Sequence, residues 1–109
     1  MTTVHAEVST YIHQVADHLN KTGITVTHAH IDTPEQAAYM GREYARLELA
    51  NAGPAQSLIW TDHNGWMTST WADHYPLLPG QIHPTSTEVA REVASHIHTL
   101  NHGGHLQAV

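Results

Sequence analysis

The chain has 109 residues with four basic and ten acidic side chains, a net charge of -6 with histidine neutral, 40% hydrophobic content and no cysteine. That length fits one domain with one core, and the apolar share fits a folded chain rather than a disordered one. Direct binding to nucleic acid would need Lys21, Arg42, Arg46 and Arg91 to converge on one face of an acidic protein, and the missing cysteines exclude disulfides, thiolate nucleophiles and cysteine-ligated zinc.

From Val4 to about Lys21, the residues Val4, Val8, Tyr11, Ile12, Val15, Ala16 and Leu19 recur at helical spacing, the stripe of a helix packed on a core. Gly23 stands where a left-handed cap would end it. Ile24 to Ile31 alternates and is β-branched, which predicts a strand closed by the turn Thr33-Pro34-Glu35. Residues 34–51 support two readings. Pro34 at a first helical position and the spacing of Ala37, Met40, Tyr44 and Leu47 suit a helix. Apolar odd positions (Ala37, Tyr39, Gly41, Ala45, Leu47, Leu49) broken by Glu43, with Arg42, Arg46 and Glu48 at even ones, suit a strand bent at Gly41. The strand is favoured, over about 43–50.

The segment Ile59-Trp-Thr-Asp-His-Asn-Gly-Trp-Met-Thr-Ser-Thr-Trp71 holds all three tryptophans. Asn64-Gly65 is the preferred pair for a two-residue type I′ turn, because both positions need positive φ. The turn predicts strands over 57–62 and 66–71, with His63 opposite Trp66, Trp60 opposite Ser69 and Leu58 opposite Trp71. In that register Leu58, Trp60, Met67 and Trp71 face the core, while Ile59, Thr61, His63, Trp66, Thr68 and Thr70 face outward. ADHYPLLPGQIHP, with three prolines, predicts an irregular connector anchored by Leu77, Leu78 and Ile82. Thr85-Ser-Thr-Glu88 has capping-box spacing, and Val89, Ala90, Val93, Ala94, Ile97 and Leu100 predict a helix over about 86–100. Residues 1–2 and 103–109 are expected to fray. Together these elements predict a single α+β domain over 1–109: a four-stranded antiparallel sheet, the terminal helices on one face and the other face open.

The order helix, strand, strand, tryptophan hairpin, proline-rich connector, helix resembles a family of small uncharacterised actinobacterial domains of unknown function. The residues that carry the likeness are Ser57-Leu-Ile-Trp-Thr-Asp-His-Asn-Gly-Trp66 and then Leu77-Leu-Pro-Gly80 before the last helix. It spans about two thirds of the chain, with 33–50 departing from the pattern. The resemblance implies an actinobacterial source and no particular chemistry; a phage or mobile element is the setting expected for an accessory protein of that source.

No basic leader precedes an apolar run, and no stretch of about 18 apolar residues occurs, so a cytoplasmic protein without membrane contact is expected. Twelve histidines make the negative charge shrink in mild acid. His28 and His30, two apart on one strand, form a candidate metal pair if a neighbour such as His63 or His74 adds a third ligand. His98 and His102 are i, i+4 on the last helix, with His96 and His105 near, a place for adventitious nickel or zinc; no glutamate follows His98, so the helical metalloprotease motif is absent. Asp62-His63 and Asp73-His74, with Ser57, Ser69, Ser86 and Ser95, are the raw material of a hydrolase, but no Gly-x-Ser-x-Gly elbow or phosphate loop accompanies them. Arg42, Arg46 and Glu48 suit a solvated face. The leading expectation is a non-enzymatic accessory module with no cofactor, a homodimer or the binder of a protein partner, using an open face centred on Trp66 with Ile59, Thr61, His63, Thr68 and Thr70. The alternative is a histidine-ligated metal enzyme or sensor built on His28 and His30.

Overall fold

A computed structural model describes residues 3–71 and 73–102, with side chains from residue 7 onward. The ends expected to fray, 1–2 and 103–109, lie outside the described residues.

Helix α1 (Thr3–Lys21) buries Val8, Ile12, Val15, Ala16 and Leu19, the stripe its spacing predicts. Each fully buried Val, Leu or Ile contributes about 1.5–3 kcal/mol. The helix closes in a Schellman motif: Ile24 N–H donates to Leu19 O at 3.0 Å, Gly23 N–H donates to Asn20 O at 3.3 Å, and Gly23 takes φ +93°. β1 (Thr25–Ile31) follows.

The ambiguous segment proves to be two elements divided at Gly41. Helix α2 (Pro34–Met40) starts with a reciprocal capping box between Thr33 and Gln36, and stops at Gly41 with φ +73°. β2 (Tyr44–Ala50) then runs over almost the span favoured for a strand. Each reading holds over part of the segment, because a seven-residue helix is too short to impose its period on the whole.

β3 (Ser57–Thr61), β4 (Gly65–Ser69) and β5 (His74–Pro76) complete an antiparallel meander in the order β1-β2-β3-β4-β5. The sheet therefore has five strands rather than four. β5 pairs Tyr75 with Thr68 and His74 with Ser69; three residues ending in proline are too few to show alternation in sequence, and proline is tolerated on an edge strand. Helix α3 (Ser86–Asn101) opens on the Thr85/Glu88 capping box and buries Val89, Ala90, Val93 and His96.

The α+β architecture is as expected, with α1 and α3 packed against one face of the sheet. Ala45, Leu47, Leu58, Trp60 and Trp66 from the strands meet Val8, Ile12, Val15, Leu19, Val89 and Val93 from the helices in one core. Among the described residues no helix is long and apolar enough to cross a membrane.

The hairpin register differs from the predicted one. Thr61 pairs with Gly65 and Trp60 with Trp66, leaving Asp62, His63 and Asn64 as a three-residue loop. Gly65 alone takes the left-handed conformation there, at φ +70°, and Asn64 N–H donates to Thr61 Oγ1 at 3.0 Å. Thr61 is thus the side chain that holds the turn amide of Asn64. Pairing is displaced by three positions, an odd number, which turns β4 over relative to β3. Leu58, Trp60, Trp66 and Thr68 face the helices, and Ile59, Thr61 and Met67 face away.

Candidate functional site

The flipped register corrects the expected binding patch. Trp66 is 1% exposed and lies in the core, while Trp71, assigned there from sequence, is 87% exposed beside the β4–β5 turn. Trp66 Nε1–H donates to Tyr11 Oη at 3.0 Å, Tyr11 O–H donates to Pro84 O at 2.6 Å, and Trp60 Nε1–H donates to Ile82 O at 2.7 Å. His83 closes against both the Tyr11 and Trp60 rings. Two tryptophans thus fasten the proline-rich connector to the core, each with its polar hydrogen satisfied as buried indoles require. Burial pushes the Tyr11 hydroxyl above the ordinary tyrosine value, the bond from Trp66 opposes that, and Glu88 adds to it.

Of the other expected contact residues, Thr68 is fully buried on the helix side, Ile59 and Thr61 lie buried on the far face, His63 is exposed in the hairpin loop, and Thr70 sits in the β4–β5 turn. They do not form one surface. Thr68 Oγ1 is 2.9 Å from His96 Nδ1, a buried polar pair between β4 and α3. Burial lowers the His96 pKa from its ordinary value, and Glu92 partly opposes the shift. Above about pH 6.5 the imidazole is neutral in folded and unfolded chains alike. Below that value the unfolded chain takes up the proton more readily, so stability falls with pH until the folded group also protonates. The melting temperature is expected to fall as the pH is taken below about 6.5, and the difference between wild type and His96→Gln isolates the share due to this side chain; equal slopes would show that His96 titrates the same in both states.

On the face away from α1 and α3, cross-strand pairing aligns two rows. His28, Glu48, Ser57, Ser69 and His74 form one; His30, Arg46, Ile59, Met67 and Pro76 form the other. Arg46 Nε meets Glu48 Oε2 at 2.6 Å, and Ser57, Ile59, Thr61 and Ser69 are all buried. The middle of this face is therefore buried and, among the described residues, carries no tryptophan or tyrosine side chain in either row.

Neither hydrolase chemistry nor the first metal pair gains support from this geometry. Ser57 and Ser69 share a row with His74, yet among the described residues Ser57 Oγ has no hydrogen-bond partner, Ser69 Oγ donates to Thr70 O at 3.3 Å, and no imidazole activates either. Asp62 Oδ1 stands 3.6 Å from His63 Nε2, too far for a hydrogen bond. Among the described residues no three His, Asp or Glu side chains are placed to hold a metal. His30 Nε2 instead bonds Asp32 Oδ1 at 2.9 Å, and its partner across the ladder is Arg46, a fixed cation that would oppose a dication. His105, grouped by sequence with the last helix, lies outside the described residues.

The exposed large hydrophobic side chains among the described residues are Tyr39, Met40 and Trp71, and the first two lie on α2. They line an open cleft of about 560 Å³ with Asp32, Glu35, Gln36, Arg42 and Tyr44. The short helix explains their position. Ala37 is its buried residue, which leaves Tyr39 and Met40 outward; Glu35 neighbours Tyr39 and Gln36 neighbours Met40 at i, i+4 spacing. Gln36 is engaged by the capping box, where its Oε1 accepts from Thr33 N–H at 2.8 Å. Tyr44 is half-buried, with the His30 ring edge-on at 6.4 Å. Glu35 and Arg42 make no ion pair among the described residues.

No family model, curated protein or solved structure matches the chain.

Sequence reasoning misses the cleft as a site because the helix reading of 34–51 places Met40 and Tyr44 on its apolar stripe, while the strand reading places Tyr39 among its apolar positions. The Thr33/Gln36 capping box and Gly41, read together, bound a helix of seven residues with room for one inward side chain. That signal is present in the sequence.

Proposed function

We propose that the protein is a non-enzymatic interaction module whose docking surface is the α2 cleft. The observation that carries this reading is the exposure of Tyr39 and Met40, at 90% and 50%, beside the half-buried Tyr44 in one concave surface. Aromatic and methionine side chains are enriched at the centres of protein interfaces, and leaving them in water forgoes their burial energy unless a partner covers them. Glu35 and Arg42, on the same cleft and without ion pairs among the described residues, offer a polar rim of both signs. The matching partner is a protein segment that seats an apolar side chain between the tyrosines and presents a base to Glu35 and an acid to Arg42. An accessory role in an actinobacterial phage or mobile element suits a module of this size and its likeness to small domains of that source.

The test is in-cell photo-crosslinking with a photoreactive residue at position 39, compared with position 17 on the exposed side of α1. A discrete adduct at 39, absent at 17 and lost in Arg42→Glu, is expected; an adduct of twice the chain mass identifies the partner as a second copy. Equal, diffuse labelling at both positions would refute the reading.

A further inference from the structure

We infer that His98 and His102 form a binding site for a divalent transition-metal ion that prefers imidazole, such as Zn²⁺, Ni²⁺ or Cu²⁺. The two residues are one helical turn apart on the exposed side of α3, and their rings lie 4.2 Å apart, centroid to centroid, at 31°. That spacing puts both imidazoles on one side of the last turn, within reach of a single ion.

Orientation adds a second reason. His102 Nδ1 bonds the His98 carbonyl oxygen at 2.8 Å. A carbonyl only accepts, so Nδ1 carries the proton and the lone pair is left on Nε2. A backbone carbonyl commonly holds one ring nitrogen of a histidine whose other nitrogen ligates metal, and here it orders the ring before the ion arrives. The position adds a third. His98 lies in the last turn of a sixteen-residue helix and His102 is its C-cap, where the aligned peptide dipoles make the local field negative and favourable to a cation. Imidazole suits zinc, nickel and copper, whereas magnesium and calcium require oxygen ligands. A four-coordinate ion held here keeps its other positions for water.

Binding at this place has a structural consequence. Asn101, between the two histidines, packs its side-chain amide against Gly53 so closely that a Cβ there would overlap it. An ion linking residues 98 and 102 therefore steadies the turn on which the β2–β3 loop rests. This couples the metal to the loop without involving the α2 cleft.

The experiment is calorimetric titration of untagged, metal-free full-length protein with Zn²⁺ and, separately, Ni²⁺, followed by thermal denaturation with and without each ion. One ion per chain is expected, with a rise in melting temperature that follows mass action. His98→Ala and His102→Ala should each weaken binding by about tenfold or more, and His13→Ala, an exposed histidine on α1, should leave it unchanged. Binding that survives both substitutions at 98 and 102, or that is equally weakened by His13→Ala, would overturn the assignment, as would no binding by the wild type.

Discussion

Replacing Trp66 with alanine is expected to cost about 3–5 kcal/mol of folding stability, the range for deleting a large buried aromatic side chain. The indole is 1% exposed within the helix–sheet core, and its Nε1–H donates to the Tyr11 hydroxyl that in turn holds Pro84 O. Its loss opens a cavity and leaves a half-buried hydroxyl short of one donor. Trp71→Ala should change stability by no more than about 0.5 kcal/mol, because that ring is 87% exposed. Urea denaturation of the two variants checks the register directly. Similar midpoints for both, or a larger loss for Trp71→Ala, would contradict the pairing of Trp60 with Trp66.

The second large effect is expected at Gly65. Its φ of +70° lies in the left-handed region, where a Cβ costs about 1–2 kcal/mol. A Cβ there would also overlap the carbonyl oxygen of Gln81, a backbone atom of the connector that cannot rotate away. Gly80 provides the control, with φ +82° and nothing within 4 Å of where an alanine methyl would sit. Gly80→Ala should therefore cost only the conformational part, about 1–2 kcal/mol, and Gly65→Ala should cost clearly more when both are compared by the same urea denaturation. Equal losses would mean that the connector does not press on the hairpin as described.

These two contrasts mark where sequence reasoning stops. The Val8, Ile12, Val15, Leu19 stripe and the Val89, Ala90, Val93 stripe are legible because each helix spans several turns and repeats its period. The Thr85/Glu88 capping box and the Gly23 cap are legible because they are local hydrogen-bond devices. The hairpin is legible as a hairpin, but its register is not. Asn64-Gly65 fits a two-residue turn as well as a three-residue loop ending in a left-handed glycine, and the two choices assign the tryptophans to opposite faces.

The candidate site is less legible still. Tyr39 and Met40 have the composition of core residues, and nothing in their spacing says that a helix of seven residues stops before it can bury them. His98 and His102 are visible as a pair from their i, i+4 spacing, yet the bond that frees one ring nitrogen for a ligand is a matter of rotamer and backbone position.

By itself, the amino-acid sequence determined the α+β class, the two amphipathic helices, four of the strands and the caps of the terminal helices, all of which follow from interactions between residues near in the chain. The tertiary structure alone decided which tryptophans are buried, how the connector is fastened through Tyr11, Ile82 and Pro84, and which side chains are left on the α2 cleft. Those outcomes depend on the parity of strand pairing and on contacts between residues up to 73 positions apart, such as Tyr11 with Pro84. Local propensity carries no information about either.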